Sequence, residues 1–437
     1  MTLHRIRTGL ALAVSLLLGA SASTADDQAA IPPDRPGTYH VGATVFSAPM
    51  TGGRIAKIQV FYPTRAPRDP DSTYTVTSTV GNYVRRSVLG AVHDAPLARG
   101  PFPLIVHDHG GGSAGADHHR IGQLPVHETL ASHGFIVVAP LHAADPVVRV
   151  RDLSKVIDVM LAKNAAAGDP FLGRIDSARV GISGMSAGGG AALGIAGGLA
   201  AAGISPDPRV KVMVVYEPGI PLLSDARNIR IPYLVMGGLM HAAGVAIPEW
   251  YAATTSAPDR IYVQIPDAAH FGFVTGILGE LEQVREQALL ANPSIPEPLT
   301  TPNSSNASAA RAYELWNWVE FIPPATAPNF GSGRNLADRI GVRSVRSLDR
   351  DGDGFTDSPP FRRVDPPYLP QAAIQWDAMI PLIQRYTVSF WKSRLAGDRR
   401  YERFLGPGSS TDASGCYEVS TIAGTPGKAK GARRAGR

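Results

Sequence analysis

The chain has 437 residues, 44% of them hydrophobic, an ordinary globular share that allows one large domain or two. Its formal net charge of +5 falls to +3 without residues 1–25, and to −2 once Lys428, Lys430, Arg433, Arg434 and Arg437 are also set aside. The basic balance therefore belongs to the chain ends and argues against nucleic-acid binding by the body. Cys416 is the only cysteine, which excludes an internal disulfide.

The first 25 residues read as a signal peptide. His4, Arg5 and Arg7 form a charged start, and Gly9 to Gly19 is an apolar run too short to span a bilayer comfortably. Small-x-small sites at Ala20–Ala22 and Ser23–Ala25 predict a mature chain starting near Ser23 or Asp26, secreted or periplasmic. No other run is long enough for an integral membrane segment.

The body, residues 26–273, alternates strand-like and helix-like stretches. Tyr39 to Pro63 predicts two strands joined at Gly52-Gly53. Thr64 to Gly100, rich in Pro, Arg, Asp and Ser, reads as an excursion without a regular core. Buried strands follow at Pro103–His109, Gly134–Pro140, Val180–Ile182, Val210–Tyr216, Ile231–Met236 and, as the last, Arg260–Ile265. Helices are expected at Val126–His133 and Asp152–Leu161, and a helix-compatible run of small residues extends from Ala191 to Ala202. This alternation predicts an α/β fold with a mostly parallel central sheet flanked by helices. Residues 274–370, poor in strands, read as a large insertion, a lid or a brace. Residues 371–406 read as a C-terminal helix returning to the core, and 407–437 as a disordered basic tail.

The sharpest motif is GMSAG at 184–188, with a strand before it and a helix after it. Strand, G-x-S-x-G, helix is the nucleophile elbow of an α/β-hydrolase, which makes Ser186 the candidate nucleophile. A second match, GGSAG at 111–115, is followed by polar residues and lacks the helix. An activated serine needs a base, an orienting acid and an oxyanion hole. His270, on the loop after the last strand, is the candidate base. The backbone N–H groups of Ala187 and Gly111 are the candidate oxyanion donors, with Gly110 close behind; His109 reads as structural. Glu217, at the end of the strand after the elbow, is the candidate acid, with Asp225 and Glu249 as alternatives.

The stretches GTYHVG at 37–42, FPLIVHDHGGG at 102–112, LASHGFIVVAP at 130–140, GRIDSARVGISGMSAGG at 173–189 and AHFGF at 269–273 resemble the dienelactone-hydrolase-like and platelet-activating-factor-acetylhydrolase-like α/β-hydrolases. More distantly, the elbow resembles that of cutinase-like polyester hydrolases. The resemblance implies a serine ester hydrolase with no organic cofactor, acting on a small-molecule, lipid or polymer ester. In the acetylhydrolase branch the acid follows the strand after the nucleophile helix, which implies Glu217. In cutinase-like enzymes it follows the next strand, where this chain has His241. Ser186 at the elbow excludes the cysteine-nucleophile dienelactone hydrolases.

A second motif lies in the insertion. Asp349, Asp351 and Asp353 alternate, Gly354 follows, and Asp357 completes the spacing of a Ca²⁺ loop in which Phe355 offers its carbonyl. Position 12 is Pro360 where a full EF-hand has Glu, so weaker or differently completed binding is expected, with a structural role for Ca²⁺. The histidine-rich stretch His107, His109, Asp117, His118 and His119 is explained more simply by a strand and a crowded loop than by zinc. The alternative of another class is a non-catalytic Ca²⁺-dependent binding protein on a hydrolase scaffold. The oligomeric state is open.

Overall fold

The computed structural model describes residues 29–78, 81–111, 117–219, 226–238, 247, 250–251, 254–265, 273, 369–405 and 418–423. Residues 1–28, nearly all of the stretch 274–370 and Cys416 lie outside them.

Twelve strands can be traced among the described residues: β1 His40–Pro49, β2 Ile55–Thr64, β3 Thr73–Ser78, β4 Gly81–Arg86, β5 Val92–His93, β6 Phe102–Asp108, β7 Ile136–Pro140, β8 Ile175–Met185, β9 Val210–Tyr216, β10 Tyr233–Gly238, β11 Asp259–Ile265 and β12 Glu418–Ala423. Four longer helices accompany them: α1 Leu124–Ser132, α2 Pro146–Ala165, α3 Ala187–Gly197 and α4 Leu369–Phe390. All strands but β3 and β4 form one sheet, in the order β12-β11-β10-β9-β8-β6-β7-β2-β1-β5. Its centre, β7-β6-β8-β9-β10-β11, is parallel, and β2 joins β7 antiparallel.

The central strands are apolar on both faces because both faces are covered. Their side chains alternate between two cores, as a period of two requires. Ile105, Val137, Val214 and Met236 pack with α1 and with Ile383, Tyr386, Phe390 and Trp391 at the C-terminal end of the chain. Val106, Val138, Ile182 and Val215 pack with Val150, Leu153, Val156 and Ile157 of α2 and with Ala191, Leu193 and Ile195 of α3. Residues 383–391 thus share one buried cluster with the central strands. The turn that follows α4, Trp391–Leu395, is π-helical, and the fully buried Trp391 ring occupies the space a side chain at Gly181 would fill.

Four expectations are corrected. Thr64 to Gly100 is not irregular: β3 and β4 pair as a hairpin, and β5 adds to the edge at β1. Tyr74 and Val76 are buried, and Glu128 accepts from Tyr74 Oη (2.9 Å), Ser87 Oγ (2.8 Å) and Leu89 N–H (2.6 Å), tying the segment to α1. Helix α2 starts earlier than its apolar stripe, at Pro146, because Asp145 caps it by accepting from Val148 N–H at 2.8 Å. Helix α3 stops at Gly197, before Ala202, since Gly198 takes φ 83° and ψ 171°. Finally, β11 is not the last strand. Within the segment expected to be a disordered tail, β12 pairs antiparallel with β11.

Two buried histidines meet between β6 and α1. The rings of His107 and His127 lie 4.6 Å apart, edge to face, and His107 Nδ1 sits 2.6 Å from Ser183 Oγ. Burial pushes His107 down from 6.5 to about 4, and burial with the neighbouring His107 lowers His127 as well. Both are neutral when folded at pH 7. The unfolded chain binds more protons between pH 6.5 and about 4, so stability present above pH 6.5 is lost as the pH falls through that window. Urea midpoints are expected to drop steeply from pH 6.5 to about 4.5, and His127→Leu is expected to flatten the drop. A wild-type midpoint constant over this range would contradict the assignment.

Candidate active site

Strands β8 and β9 are parallel neighbours with Met185 opposite Tyr216. The next residue in each strand has a positive φ, 55° at Ser186 and 42° at Glu217. The hydrogen-bond ladder continues one step past the strands. Ser186 N–H donates to Tyr216 O at 3.0 Å, and Glu217 N–H donates to Met236 O of β10 at 2.9 Å. The serine and the glutamate thus leave the sheet side by side at its C-terminal edge, where open α/β sheets place their sites. Side-chain-bearing residues held at positive φ are strained, and such strain collects at functional positions. Ser186 and Ala187 are half-buried, whereas Glu217 is fully buried.

The turn explains the glycines of the motif. A Cβ on Gly184 would lie 2.2 Å from the carbonyl oxygen of Gly188, and one on Gly188 would lie 2.2 Å from that of Asp108. Both obstacles are backbone, so neither can step aside. The Ser186 carbonyl accepts from Gly190 N–H (3.0 Å) and Gly219 N–H (2.8 Å), fixing the serine from the helix side and from the loop after β9. Helix α3 starts at Ala187, so its positive end begins at the residue after Ser186.

The loop after β6 completes the surroundings. Gly110 lies against the serine: a Cβ there would come within 3.3 Å of Ser186 Cβ and 2.7 Å of Met185 Sδ. Gly111, with φ 76°, is exposed, and a Cβ on it would meet the ring of His119. His109 is buried and stacks on His119 with centroids 4.5 Å apart and planes 4° apart. Its Nε2 accepts from His142 N–H at 3.1 Å, so its proton is on Nδ1, which donates to Gly110 O at 2.7 Å. Burial, with His119, Arg149 and His142 nearby, holds its basicity well below the ordinary histidine value. His109 is therefore a neutral brace, the structural role its sequence context suggested.

An ion pair that the sequence reading did not single out lies behind this loop. Arg149 of α2 and Asp108 at the end of β6, 41 residues apart, are both buried, with Arg149 Nη2 2.6 Å from Asp108 Oδ1 and Arg149 Nε 3.1 Å from Oδ2. His142 lies 3.6 Å from Asp108 Oδ1 and 3.8 Å from Asp152 Oδ2. The signal available was an arginine on the apolar stripe of α2, in helical register with Leu153, Val156 and Met160.

His270, His241, Asp225 and Glu249 lie outside the described residues, as do Asp349, Asp351, Asp353, Phe355 and Asp357. Phe273, three residues after His270, is fully buried in the same core cluster as Met185 and Tyr216, and its carbonyl accepts from Gln123 Nε2 at 2.6 Å. Among the described residues no three His, Cys, Asp or Glu side chains are grouped to hold a metal. No helix among them is long and apolar enough to cross a membrane.

A family model described as PET hydrolase-like (PETase) matches residues 125–279, from α1 to beyond His270. Cutinase est2 of Thermobifida alba is 31% identical over 150 residues, covering 33% of this chain and 46% of that protein. Cutinase est1 of the same organism is 29% identical over 150 residues, covering 33% and 47%. Cutinase 2 of Thermobifida cellulosilytica is 27% identical over 150 residues, covering 33% and 53%. The chain spans about half the length of the curated relatives it matches. These matches fall on the cutinase side, the more distant of the two resemblances read from the sequence. The mostly parallel sheet, its flanking helices and these likenesses are together those of an α/β-hydrolase fold.

Proposed function

We propose that this chain is an exported serine hydrolase that cleaves carboxylic esters through an acyl-enzyme, without an organic cofactor. The observation that carries the reading is the pair of strained residues Ser186 and Glu217 at the ends of neighbouring parallel strands, with the start of α3 beneath the serine. In this mechanism His270 takes the Ser186 hydroxyl proton as the oxygen attacks the ester carbonyl carbon. The oxyanion of the tetrahedral intermediate accepts from the N–H groups of Ala187 and of Gly111 or its neighbour Gly110. His270 then gives its proton to the departing alkoxide. Water, deprotonated by His270, releases the acid and restores Ser186. Glu217 orients the imidazole and stabilises its charged form.

The likeness to cutinases and to PET hydrolase-like proteins favours a second, narrower reading in which the ester belongs to a polymer. Asp349, Asp351, Asp353 and Asp357, with the Phe355 carbonyl, are the proposed Ca²⁺ ligands, an oxygen set suited to that hard ion. Their role in this reading is to hold the insertion. The test is labelling of the mature protein by an alkyl fluorophosphonate, with peptide mapping, with and without EDTA. Label on Ser186 is expected, together with hydrolysis of p-nitrophenyl butyrate. Loss of label only in EDTA would assign Ca²⁺ the structural role. Folded protein that takes no label in either condition would overturn the hydrolase reading in favour of a Ca²⁺-dependent binding protein.

A further inference from the structure

Behind the candidate oxyanion loop, one guanidinium serves three partners. Arg149 grips the Asp108 carboxylate with two nitrogens, as above, and turns its remaining donors on the loop backbone. Its Nη1 donates to Gly111 O at 2.6 Å, and Nη2 donates to His109 O. The Gly110 carbonyl between them is held by His109 Nδ1. Three consecutive carbonyls are therefore fixed. Because a trans peptide is planar, each fixed carbonyl also fixes the N–H of the following residue on the opposite side. The orientations of the Gly110 and Gly111 N–H groups are set in this way, one by Arg149 and the other by His109, which Arg149 holds through its carbonyl.

Packing alone does not call for this arrangement. Helix α2 is already anchored by Val150, Leu153, Val156, Ile157 and Met160. Buried ion pairs are often replaceable by apolar residues without loss of stability. What an apolar residue cannot do is donate to two loop carbonyls and a carboxylate at once. A lysine, with one compact ammonium, cannot span them either, whereas the fork of five N–H donors can. We propose that Arg149 is the positioning residue of the oxyanion loop, setting the peptide planes of His109 to Gly111 against Ser186. This rests on the ester-hydrolase reading above.

Removing Arg149 alone would strand the buried Asp108 carboxylate, so the informative variants are the double change Asp108→Asn with Arg149→Met, and Arg149→Lys, which keeps the charge. Activity is to be expressed per Ser186 titrated to completion with fluorophosphonate, alongside the melting temperature. Inhibition by an alkyl trifluoromethyl ketone, which forms a tetrahedral oxyanion on the serine, gives the third readout. For the double variant kcat is expected to fall about 10²- to 10³-fold, the loss typical of a misplaced oxyanion donor, with KM nearly unchanged. The inhibition constant should rise in parallel with the fall in kcat/KM, and Arg149→Lys should lie between. If the wild type takes no label at Ser186, the hydrolase reading falls and this proposal with it. If the wild type is labelled and active but kcat per titrated site and the ketone affinity stay at wild-type level in both variants, whatever the melting temperature does, only the role of Arg149 is overturned.

Discussion

Replacing Ser186 by Ala is expected to lower ester turnover by at least about 10⁴-fold, and replacing it by Gly to do the same while making the protein more stable than either. The first result follows from the chemistry: removing a nucleophile leaves only the residual catalysis of the oxyanion donors and of binding. The second follows from the backbone. At φ 55° and ψ −118° Ser186 lies outside both helical basins and outside the extended region. Holding a residue with a Cβ there costs about 1–3 kcal/mol, a strain that Ser and Ala share and Gly does not. Glycine loses about 0.5–1 kcal/mol more on ordering, so the net gain is about 1 kcal/mol, a rise in melting temperature of roughly 2 °C for a domain of this size. Ester hydrolysis and scanning calorimetry on the three proteins check both parts. Turnover above about 1% of wild type in Ser186→Ala would remove the serine from the mechanism. A Gly variant melting below the Ala variant would show that the elbow stores no strain.

The parts of this fold that were legible in the sequence are those where local pattern and tertiary role coincide. The runs at β6, β7, β9 and β10 are apolar because both sheet faces are covered, and GMSAG stands out because its glycines answer to backbone contacts of 2.2 Å. The hairpin β3–β4 was missed for the opposite reason. In TYTVTS the alternation of Tyr74 and Val76 with threonines is a strand signal, but it sits among Pro, Arg and Asp that suggest a loop. β12 was hidden in the same way, inside a basic tail. The ion pair behind the loop after β6 is nearly illegible in the sequence, since Asp108 and Arg149 meet only after β6 and α2 have packed. Its one trace was a charge on a core-facing helix position, which is costly unless partnered.

Glu217→Gln is expected to lower kcat by about 10³- to 10⁴-fold, in line with amide replacement of a triad carboxylate. The shape of the side chain is kept, so KM and the melting temperature should change little. By contrast Asp225→Asn and Glu249→Gln should each stay within about threefold of wild type, as ordinary substitutions away from the reacting groups do. The geometry behind this expectation is the order of the strands. β9 lies between β8 and β10, with Val215 opposite Val235 and Tyr216 opposite Met236, so the ends of β9 and β10 open onto the same edge of the sheet. A carboxylate after either strand can approach an imidazole that reaches Ser186. That is why an acid displaced from the end of β10, where this chain has His241, can be supplied from the end of β9. The strained φ of 42° and complete burial of Glu217 give it the marks of a residue held for chemistry, because a glutamate serving only to cap a loop would have been cheaper in solvent. A Glu217→Gln enzyme with wild-type kcat would move the acid elsewhere, and a loss of kcat in Asp225→Asn or Glu249→Gln would say where.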